Sequence, residues 1–379
     1  MKIAVDEAIP YWNEAFTPLG EVRAFPGRKL RATDIRDVDA LIVRSVTRVD
    51  ASLLDGSSVR FVGSATIGMD HIDAEFLNSR DIRFTNAAGC NANAVSEYIV
   101  ATLLLLAERR NWNLRSKSIA VIGVGNVGSR VEKKAATLGL RVLLCDPPLR
   151  DSTGDPRYHS SLEEVLEADI LTLHVPLTTD GPYPTHHMVD GKILERLSPR
   201  QFIVNSSRGP VVEASALKTS LQAGKIEGAV LDVWEDEPKI DFSLLELVAI
   251  GTAHIAGYSI DGKIRATQMI LEELCRHFQR QPSWDTKHLY PAPAIITPER
   301  GARGDAALRC IVGAAYDILR DDAALRALAT LPRDLAAAGF DRLRNEYQFR
   351  PEFRHFSVSL PRNQRDLADC IGALGFRTT

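Results

Sequence analysis

The sequence predicts an α/β protein with a doubly wound parallel sheet at its centre, flanked by a smaller α/β unit on each side. Three observations predict this. Short β-rich runs alternate with helix-compatible stretches near the start of the chain, the pattern of a parallel sheet. A second and stronger βα series starts at Ser118. No lysine occurs beyond Lys287, whereas thirteen arginines follow, a composition shift that marks a separate C-terminal unit.

The first series consists of KIAVD (2–6), ALIVRS (40–45), RFVGSA (60–65) and IRFTNA (82–87). Residues 93–108, NAVSEYIVATLLLLAE, form an apolar helical stretch that is too short to span a bilayer and ends in charge, so a buried helix linking two domains is expected. The second series is SIAVIG (118–123), RVLLCD (141–146), DILTLHV (169–175), QFIVNSS (201–207), GAVLDV (228–233) and LVAIGT (247–252). Six strands in this arrangement match the doubly wound dinucleotide-binding fold. Asp261–Gln279 reads as a helix returning to the first unit. Residues 281–304 carry four prolines and read as a linker. Beyond it, Asp305–Ala329 and Gln364–Leu374 read as helical and Glu352–Leu360 as a strand. The expected domains are 1–92 with 256–288, 93–255, and 289–379.

Composition excludes several function classes. In 379 residues, 46 Lys and Arg face 49 Asp and Glu, a net charge of −3. This argues against a polybasic nucleic-acid surface or an anionic-membrane anchor. No apolar run reaches bilayer length and no signal peptide is read at the N-terminus. The five cysteines are scattered without a CxxC, which argues against a disulfide framework or a metal site and fits the cytoplasm.

Gly123-Val124-Gly125-Asn126-Val127-Gly128 is GxGxxG, placed after an apolar strand and at the opening of a helix. Such a loop needs Gly123 for a tight turn, Gly125 for backbone approach to a pyrophosphate, and Gly128 for close helix–strand packing. Asp146 ends the next strand. Its carboxylate suits the adenosine ribose hydroxyls and repels a 2′-phosphate, so NAD is favoured over NADP. The competing reading is a glycine-rich turn beside an exposed aspartate. Pro147 and Pro148 read as a turn.

Three polar groups lie beyond successive strands, at the edge where open α/β sheets bind ligands. His254 suits a base for a hydroxyl proton, since imidazole titrates near neutrality. Glu237 suits its orienting carboxylate. Arg208 suits a carboxylate clamp because guanidinium presents a planar fork. Each has a plainer alternative: a packed histidine, a solvated acidic loop (Glu235, Asp236 and Asp241 are close in sequence), and a helix-capping arginine. His186 and His187 read as surface residues. His71 has no second ligand at metal spacing. His174 ends a strand at the cofactor edge, and Cys90 reads as a buried thiol.

These landmarks (GVGNVG…CDP, NSSRGPVV, LDVWEDEP and HIAGYS, in that order) resemble the D-isomer-specific 2-hydroxyacid dehydrogenases. That resemblance implies a Rossmann NAD-binding domain, a flavodoxin-like substrate domain, and Arg208, Glu237 and His254 at the catalytic positions. RSVTRV (44–49), SATIGMDHID (64–73), NAAGCNANAVSEY (86–98), HIAGYSIDGKIRAT (254–267) and the tail after 289 resemble a branch that oxidises a phosphorylated 2-hydroxy acid. The resemblance implies further cofactor contacts from Asn126, Val127, Val175, Ser206, Ser207, Asp232 and Gly257, with Arg208 beside them. It implies substrate contacts from Ser45, Thr66 and Tyr258 besides Arg208, with Arg44 as a candidate phosphate partner. It also implies that the tail is a dimerisation domain. An apolar helix face there (Ala306, Leu308, Cys310, Ile311, Ala314, Ala315) suits either an interface or an internal core, and Arg342, Arg344 and Arg350 are candidates to reach a partner's pocket. Two alternatives stay open: a relative acting on 3-phosphoglycerate or hydroxypyruvate and glyoxylate, and a non-enzymatic NAD-sensing binding protein.

Overall fold

The computed structural model describes residues 1–299, 302–360 and 364–378. The chain forms two compact units: residues 1–91 with 259–291, and residues 92–258 with 292–379.

The first unit holds a five-stranded parallel sheet of β1 (Lys2–Asp6), β2 (Glu21–Phe25), β3 (Ala40–Val43), β4 (Phe61–Ser64) and β5 (Arg83–Asn86). Its order is β2-β1-β3-β4-β5, that of flavodoxin-like sheets. Strands β3 and β4 are buried at every position, because a parallel sheet is covered on both faces. Strand β2 was not expected. Its sequence, EVRAF, lies mostly exposed on the sheet edge and has no apolar run to announce it. Helix Ile260–His277 belongs to this unit, and its Ile270, Leu271 and Leu274 pack with Ile3, Val5, Ile42 and Phe61.

The second unit holds a seven-stranded parallel sheet. Its strands are β6 (Ser118–Ile122), β7 (Arg141–Cys145), β8 (Tyr158–His159), β9 (Ile170–Leu173), β10 (Phe202–Asn205), β11 (Gly228–Leu231) and β12 (Ile250–Gly251). The order is β12-β11-β10-β9-β6-β7-β8, so the chain reverses direction across the sheet between β6 and β9. That reversal is where a doubly wound sheet opens a ligand crevice. Helix Ala92–Arg110 is buried along most of its length, which explains why its sequence is apolar all round rather than striped. Pro147 and Pro148 do not form a simple turn. They open helix Pro147–Thr153, capped by Asp146 accepting from the Leu149 N–H at 3.0 Å, since proline suits the first helical position.

Residues 292–379 add a three-stranded parallel sheet of β13 (Ala294–Ile296), β14 (Phe356–Val358) and β15 (Arg377–Thr378), in that order. The helical stretch expected over 305–329 breaks into Gly304–Ala315 and Ile318–Arg326. Asp317 separates them and caps the second, accepting from the Leu319 N–H at 3.1 Å. Helix Arg333–Asn345 was not anticipated, and helix Arg365–Leu374 lies within the expected 364–374. Leu308, Ile311 and Ala315 enter the same core as Tyr98, Leu103 and Leu104. The buried part of that apolar face therefore serves this chain's own interior.

Charged groups tie this segment to the sheet it covers. Arg350 donates to Glu97 Oε2 at 2.6 Å and to the Ala94 carbonyl at 2.7 Å, with its guanidinium 4.3 Å from the Tyr316 ring centroid. The Phe353 N–H donates to Glu97 Oε1 at 2.8 Å. Asp322 accepts the edge-strand N–H of Gly251 at 2.7 Å, and Arg326 donates to the Leu245 and Val248 carbonyls at 2.7 and 3.0 Å. The open edge of β12 is thus covered rather than left as a template for pairing.

Candidate active site

The glycine loop follows β6. Gly123 has φ +84°, and a Cβ there would lie 2.7 Å from the His174 carbonyl oxygen, so only glycine suits this turn. A Cβ on Gly128 would lie 2.0 Å from the Gly123 carbonyl. At Gly125 a Cβ would meet nothing within 4 Å, so backbone faces open space beside the start of helix Gly128–Thr137. Asn126 is exposed here and Val127 half-buried. Val175 lies half-buried after β9, with its side chain against the Gly123 turn.

Asp146 is half-buried after β7. Its Oδ2 accepts from the Val124 N–H at 2.7 Å and its Oδ1 from Leu149. Each oxygen keeps a further lone pair for a ribose hydroxyl. Two buried polar atoms close by, Ser206 Oγ after β10 and His174 Nδ1 after β9, have no hydrogen-bond partner among the described residues. The other ring nitrogen of His174 lies 2.9 Å from Thr172 Oγ1, and burial pushes the imidazole down to about 3, so it is neutral. Orphaned polar atoms, an uncovered glycine backbone and a ribose-spaced carboxylate are what a dinucleotide site requires.

Arg208, Glu237 and His254 follow three neighbouring strands, β10, β11 and β12. His254 Nδ1 lies 2.8 Å from Glu237 Oε2, and Glu237 Oε1 accepts from the Trp234 N–H at 2.9 Å. Burial pushes the Glu237 carboxyl up. The His254 charge and hydrogen bond and the Trp234 N–H outweigh it, leaving Glu237 below the usual carboxylate range. His254 adopts φ +56°, an uncommon conformation for a non-glycine residue that points to a constrained site. The constraint is visible: its N–H donates to the Asp232 carbonyl at 2.7 Å.

Asp232 is fully buried. Its Oδ1 accepts from Thr252 Oγ1 and the Ile255 N–H at 2.6 and 2.8 Å, and Oδ2 from the Ala256 N–H at 3.0 Å. It therefore holds the loop that carries His254 and Gly257. Burial pushes its carboxyl up, against these donors and the His254 charge.

Arg208 is half-buried, and its Nη1 donates to the Ser207 carbonyl at 2.8 Å. Asn205 shapes this turn: Nδ2 donates to the Arg208 carbonyl at 2.9 Å and Oδ1 accepts from the Ser207 N–H and hydroxyl. A Cβ on Gly209 would lie 1.9 Å from the Trp234 carbonyl oxygen, so the loop bearing Arg208 presses directly on the loop bearing Glu237.

The neighbouring acids separate by partner. Glu235 Oε1 lies 2.6 Å from His187 Nε2, and Glu235 Oε2 accepts from the Ala214 N–H at 2.8 Å. Asp241 caps helix Phe242–Leu247 and pairs with Lys218 at 2.8 Å. His187 is thus part of the loop support rather than an idle surface residue, which its polar surroundings in sequence did not reveal. In the first unit, Ser45 is exposed in the turn after β3. Thr66 Oγ1 lies 2.8 Å from Ser64 Oγ, which also lies 3.1 Å from His71 Nε2. Arg44 Nη1 reaches the Ala8 carbonyl.

Tyr258 sits against the C-terminal segment. Its ring centroid is 5.7 Å from that of Tyr347 and 5.9 Å from that of Phe349. Sequence reasoning raised Arg344 and Arg350 only as groups reaching a partner. Nothing in linear spacing connects residue 350 to residue 97.

Residues 105–256 match the family described as "D-isomer specific 2-hydroxyacid dehydrogenase, NAD binding domain". Residues 291–375 match a "Domain of unknown function (DUF3410)". The erythronate-4-phosphate dehydrogenase of Pectobacterium carotovorum is 46% identical over 99% of this chain and 98% of its own. That of Salmonella arizonae is 45% identical over 99% and 98%. Among solved structures, the TT0316 protein of Thermus thermophilus is similar with a TM-score of 0.64 and 26% identity, over 74% of this chain and 98% of its own. The D-lactate dehydrogenase of Aquifex aeolicus, solved with NAD and lactic acid, has a TM-score of 0.58 at 22% identity, over 74% and 96%. With identity at this level along nearly its whole length, the chain belongs to the erythronate-4-phosphate dehydrogenases, a branch of the D-isomer-specific 2-hydroxyacid dehydrogenase family.

Proposed function

We propose that this chain oxidises 4-phospho-D-erythronate to (R)-3-hydroxy-2-oxo-4-phosphooxybutanoate with NAD, in the biosynthesis of pyridoxal 5′-phosphate. The observation that carries the chemistry is the 2.8 Å contact between His254 and Glu237 at the C-terminal edge of the sheet. Similarity over the full length, tail included, carries the choice of substrate over 3-phosphoglycerate or glyoxylate.

The dinucleotide would be held by Gly123, Gly125, Asn126, Val127 and Gly128 at the pyrophosphate, and by Asp146 and Val175 on the adenosine side. Ser206, Ser207, Asp232 and Gly257 would serve the nicotinamide side. Bound there, NAD would supply the acceptor for a hydride from C2 of the substrate. His254 takes the C2 hydroxyl proton on Nε2, the ring nitrogen not engaged by Glu237. Glu237 fixes the tautomer and offsets the positive charge that the ring acquires. Arg208 pairs with the C1 carboxylate. Tyr258, Ser45 and Thr66 supply hydroxyls to the remaining substrate oxygens. The C2–H electron pair leaves as hydride, the O–H proton goes to His254, and a ketone remains.

The protein works as a cytoplasmic homodimer joined through its C-terminal domain (289–379), with 1–92 and 256–288 as substrate domain and 93–255 as NAD-binding domain. In support, no helix among the described residues is long and apolar enough to cross a membrane. The C-terminal segment also leaves Ile295 and Leu335 exposed at 72% and 59%, as a pairing surface would. NADH formation on a panel of phosphorylated and plain 2-hydroxy acids tests the reading. Strongest turnover with 4-phospho-D-erythronate is expected. Preference for 3-phosphoglycerate would replace the substrate, and no NADH with any acid would favour a binding role. Sedimentation equilibrium tests the dimer.

A further inference from the structure

We propose that Tyr98 is a positioning residue of the active site: its buried hydroxyl acts through Thr252 and Asp232 to set the loop that carries His254. The helix that opens the second unit thus serves the chemistry as well as the core. The proposal rests on reading His254 as the general base.

Tyr98 opens the stretch YIVATLLLLA of helix Ala92–Arg110. A phenylalanine would fill nearly the same space there, and a buried hydroxyl is unfavourable unless it is paired. It is paired: Tyr98 Oη lies 3.0 Å from Thr252 Oγ1, and Thr252 Oγ1 donates to Asp232 Oδ1 at 2.6 Å. All three side chains are buried, at 0%, 0% and 1% exposure. A threonine hydroxyl has one proton. Thr252 gives it to Asp232, so its oxygen accepts from Tyr98. The chain therefore runs one way, from Tyr98 to Thr252 to Asp232, and each bond polarises the next.

The backbone of Thr252 is pinned independently. Its N–H donates to the Leu231 carbonyl at 2.9 Å, and its carbonyl accepts from Trp234 Nε1 at 2.9 Å. The Tyr98 hydroxyl then selects the rotamer that aims Oγ1 at Asp232. With that donor in place, Asp232 Oδ1 takes two hydrogen bonds, from Thr252 and from the Ile255 N–H, and Oδ2 takes one from the Ala256 N–H. The Asp232 carbonyl accepts the His254 N–H at 2.7 Å. His254 stands at φ +56°, a conformation that needs outside support in a non-glycine residue. Without the hydroxyl chain, Asp232 is a buried carboxylate short of a donor. It turns to recover one, the bonds to residues 255 and 256 turn with it, and the imidazole loses its aim. The Tyr98 ring is held separately by the core, its centroid 6.4 Å from that of Tyr316, so loss of the hydroxyl alone leaves the helix in place.

The test uses the full chain. Tyr98→Phe removes the hydroxyl and keeps the ring. It is expected to lower kcat roughly threefold, and Thr252→Val roughly tenfold, with KM for the acid held within about twofold because Arg208 stands on another loop. Thr252→Ser keeps the donor and should keep kcat near the parental value. The double variant of Tyr98→Phe and Thr252→Val should lose no more than Thr252→Val alone, since the first hydroxyl acts only through the second. Thr102→Val is the control. It removes a buried hydroxyl one turn further along the same helix that has no hydrogen-bond partner among the described residues, and kcat should not change. Should Thr252→Val fail to fold, Tyr98→Phe against Thr102→Val decides the matter. A parental kcat in Tyr98→Phe, losses that multiply in the double variant, a Thr252→Ser as slow as Thr252→Val, or an equal loss in Thr102→Val would reduce Tyr98 to a core contact. Full activity in His254→Ala would instead remove the base assignment on which the proposal rests.

Discussion

Asp232 lies beneath His254 and grips its loop from both ends: its carbonyl accepts the His254 N–H at 2.7 Å while its carboxylate accepts the N–H groups of Ile255 and Ala256. The imidazole is aimed by a neighbouring strand end and not by its own strand, which is only two residues long. Asp232→Asn puts an amide N–H₂ against a backbone donor, so one acceptor is lost. A destabilisation of about 1–3 kcal/mol is expected from the unsatisfied group, with a lower kcat because the ring loses its aim. Urea unfolding and steady-state rates would measure both, and unchanged values would remove this role.

The base itself is open to a direct measurement. His254→Ala should reduce turnover by about 10²–10⁴-fold and leave NAD affinity intact, as read by fluorescence titration. A parallel loss of cofactor binding would mean that the loop, not the proton transfer, had been damaged.

Glu237 links the same pair to pH. Its carboxyl sits below its ordinary value of 4.5, so the native state binds a proton there less readily than the unfolded chain. The stability it contributes is fully present above that ordinary value and is lost as pH falls through the lower native one. Glu237→Gln should therefore flatten the acid side of the stability profile, followed by urea midpoints from about pH 7 to about pH 3. Identical slopes for parent and variant would show that the pair stores no such stability.

Gly209 predicts a steric failure. A methyl group there would lie 1.9 Å from the Trp234 carbonyl oxygen, so the loops carrying Arg208 and Glu237 must part. Gly209→Ala should lose about 2 kcal/mol or more of stability and raise KM for the acid, because the guanidinium is displaced. A variant with parental KM and Tm would contradict the close approach.

Arg350 and Glu97 form a buried pair. Arg350→Met removes the nearer cation of a buried carboxylate, leaving Lys134 at 3.9 Å, and should cost about 3–5 kcal/mol, whereas the double change with Glu97→Gln should recover much of that loss. Thermal unfolding of the two variants would show it, and equal losses would place the cost in packing alone.

Much of this arrangement is legible in the sequence because it is local. GVGNVG needs its strand and its helix immediately beside it, and β6 and β9 to β11 are largely apolar runs because they are covered on both faces. Arg208, Glu237 and His254 could be picked out because each follows a strand end. What escaped was either exposed or long-range. Strand β2 has no apolar run, and strand β8 is two residues long. His187 and Glu235 meet across 48 residues, and Arg350 and Glu97 across 253. No periodicity encodes a meeting of that kind, since the fold itself brings the partners together.

The ion pair between positions 97 and 350 has a bearing on biosynthesis. A ribosome delivers the glutamate and Lys134, 3.9 Å from it, long before the arginine, so the buried helix waits with a half-paired acid until residue 350 emerges. A chain that is clipped or stalled short of that point keeps the defect. Completion of this buried cluster thus waits on the synthesis of residue 350.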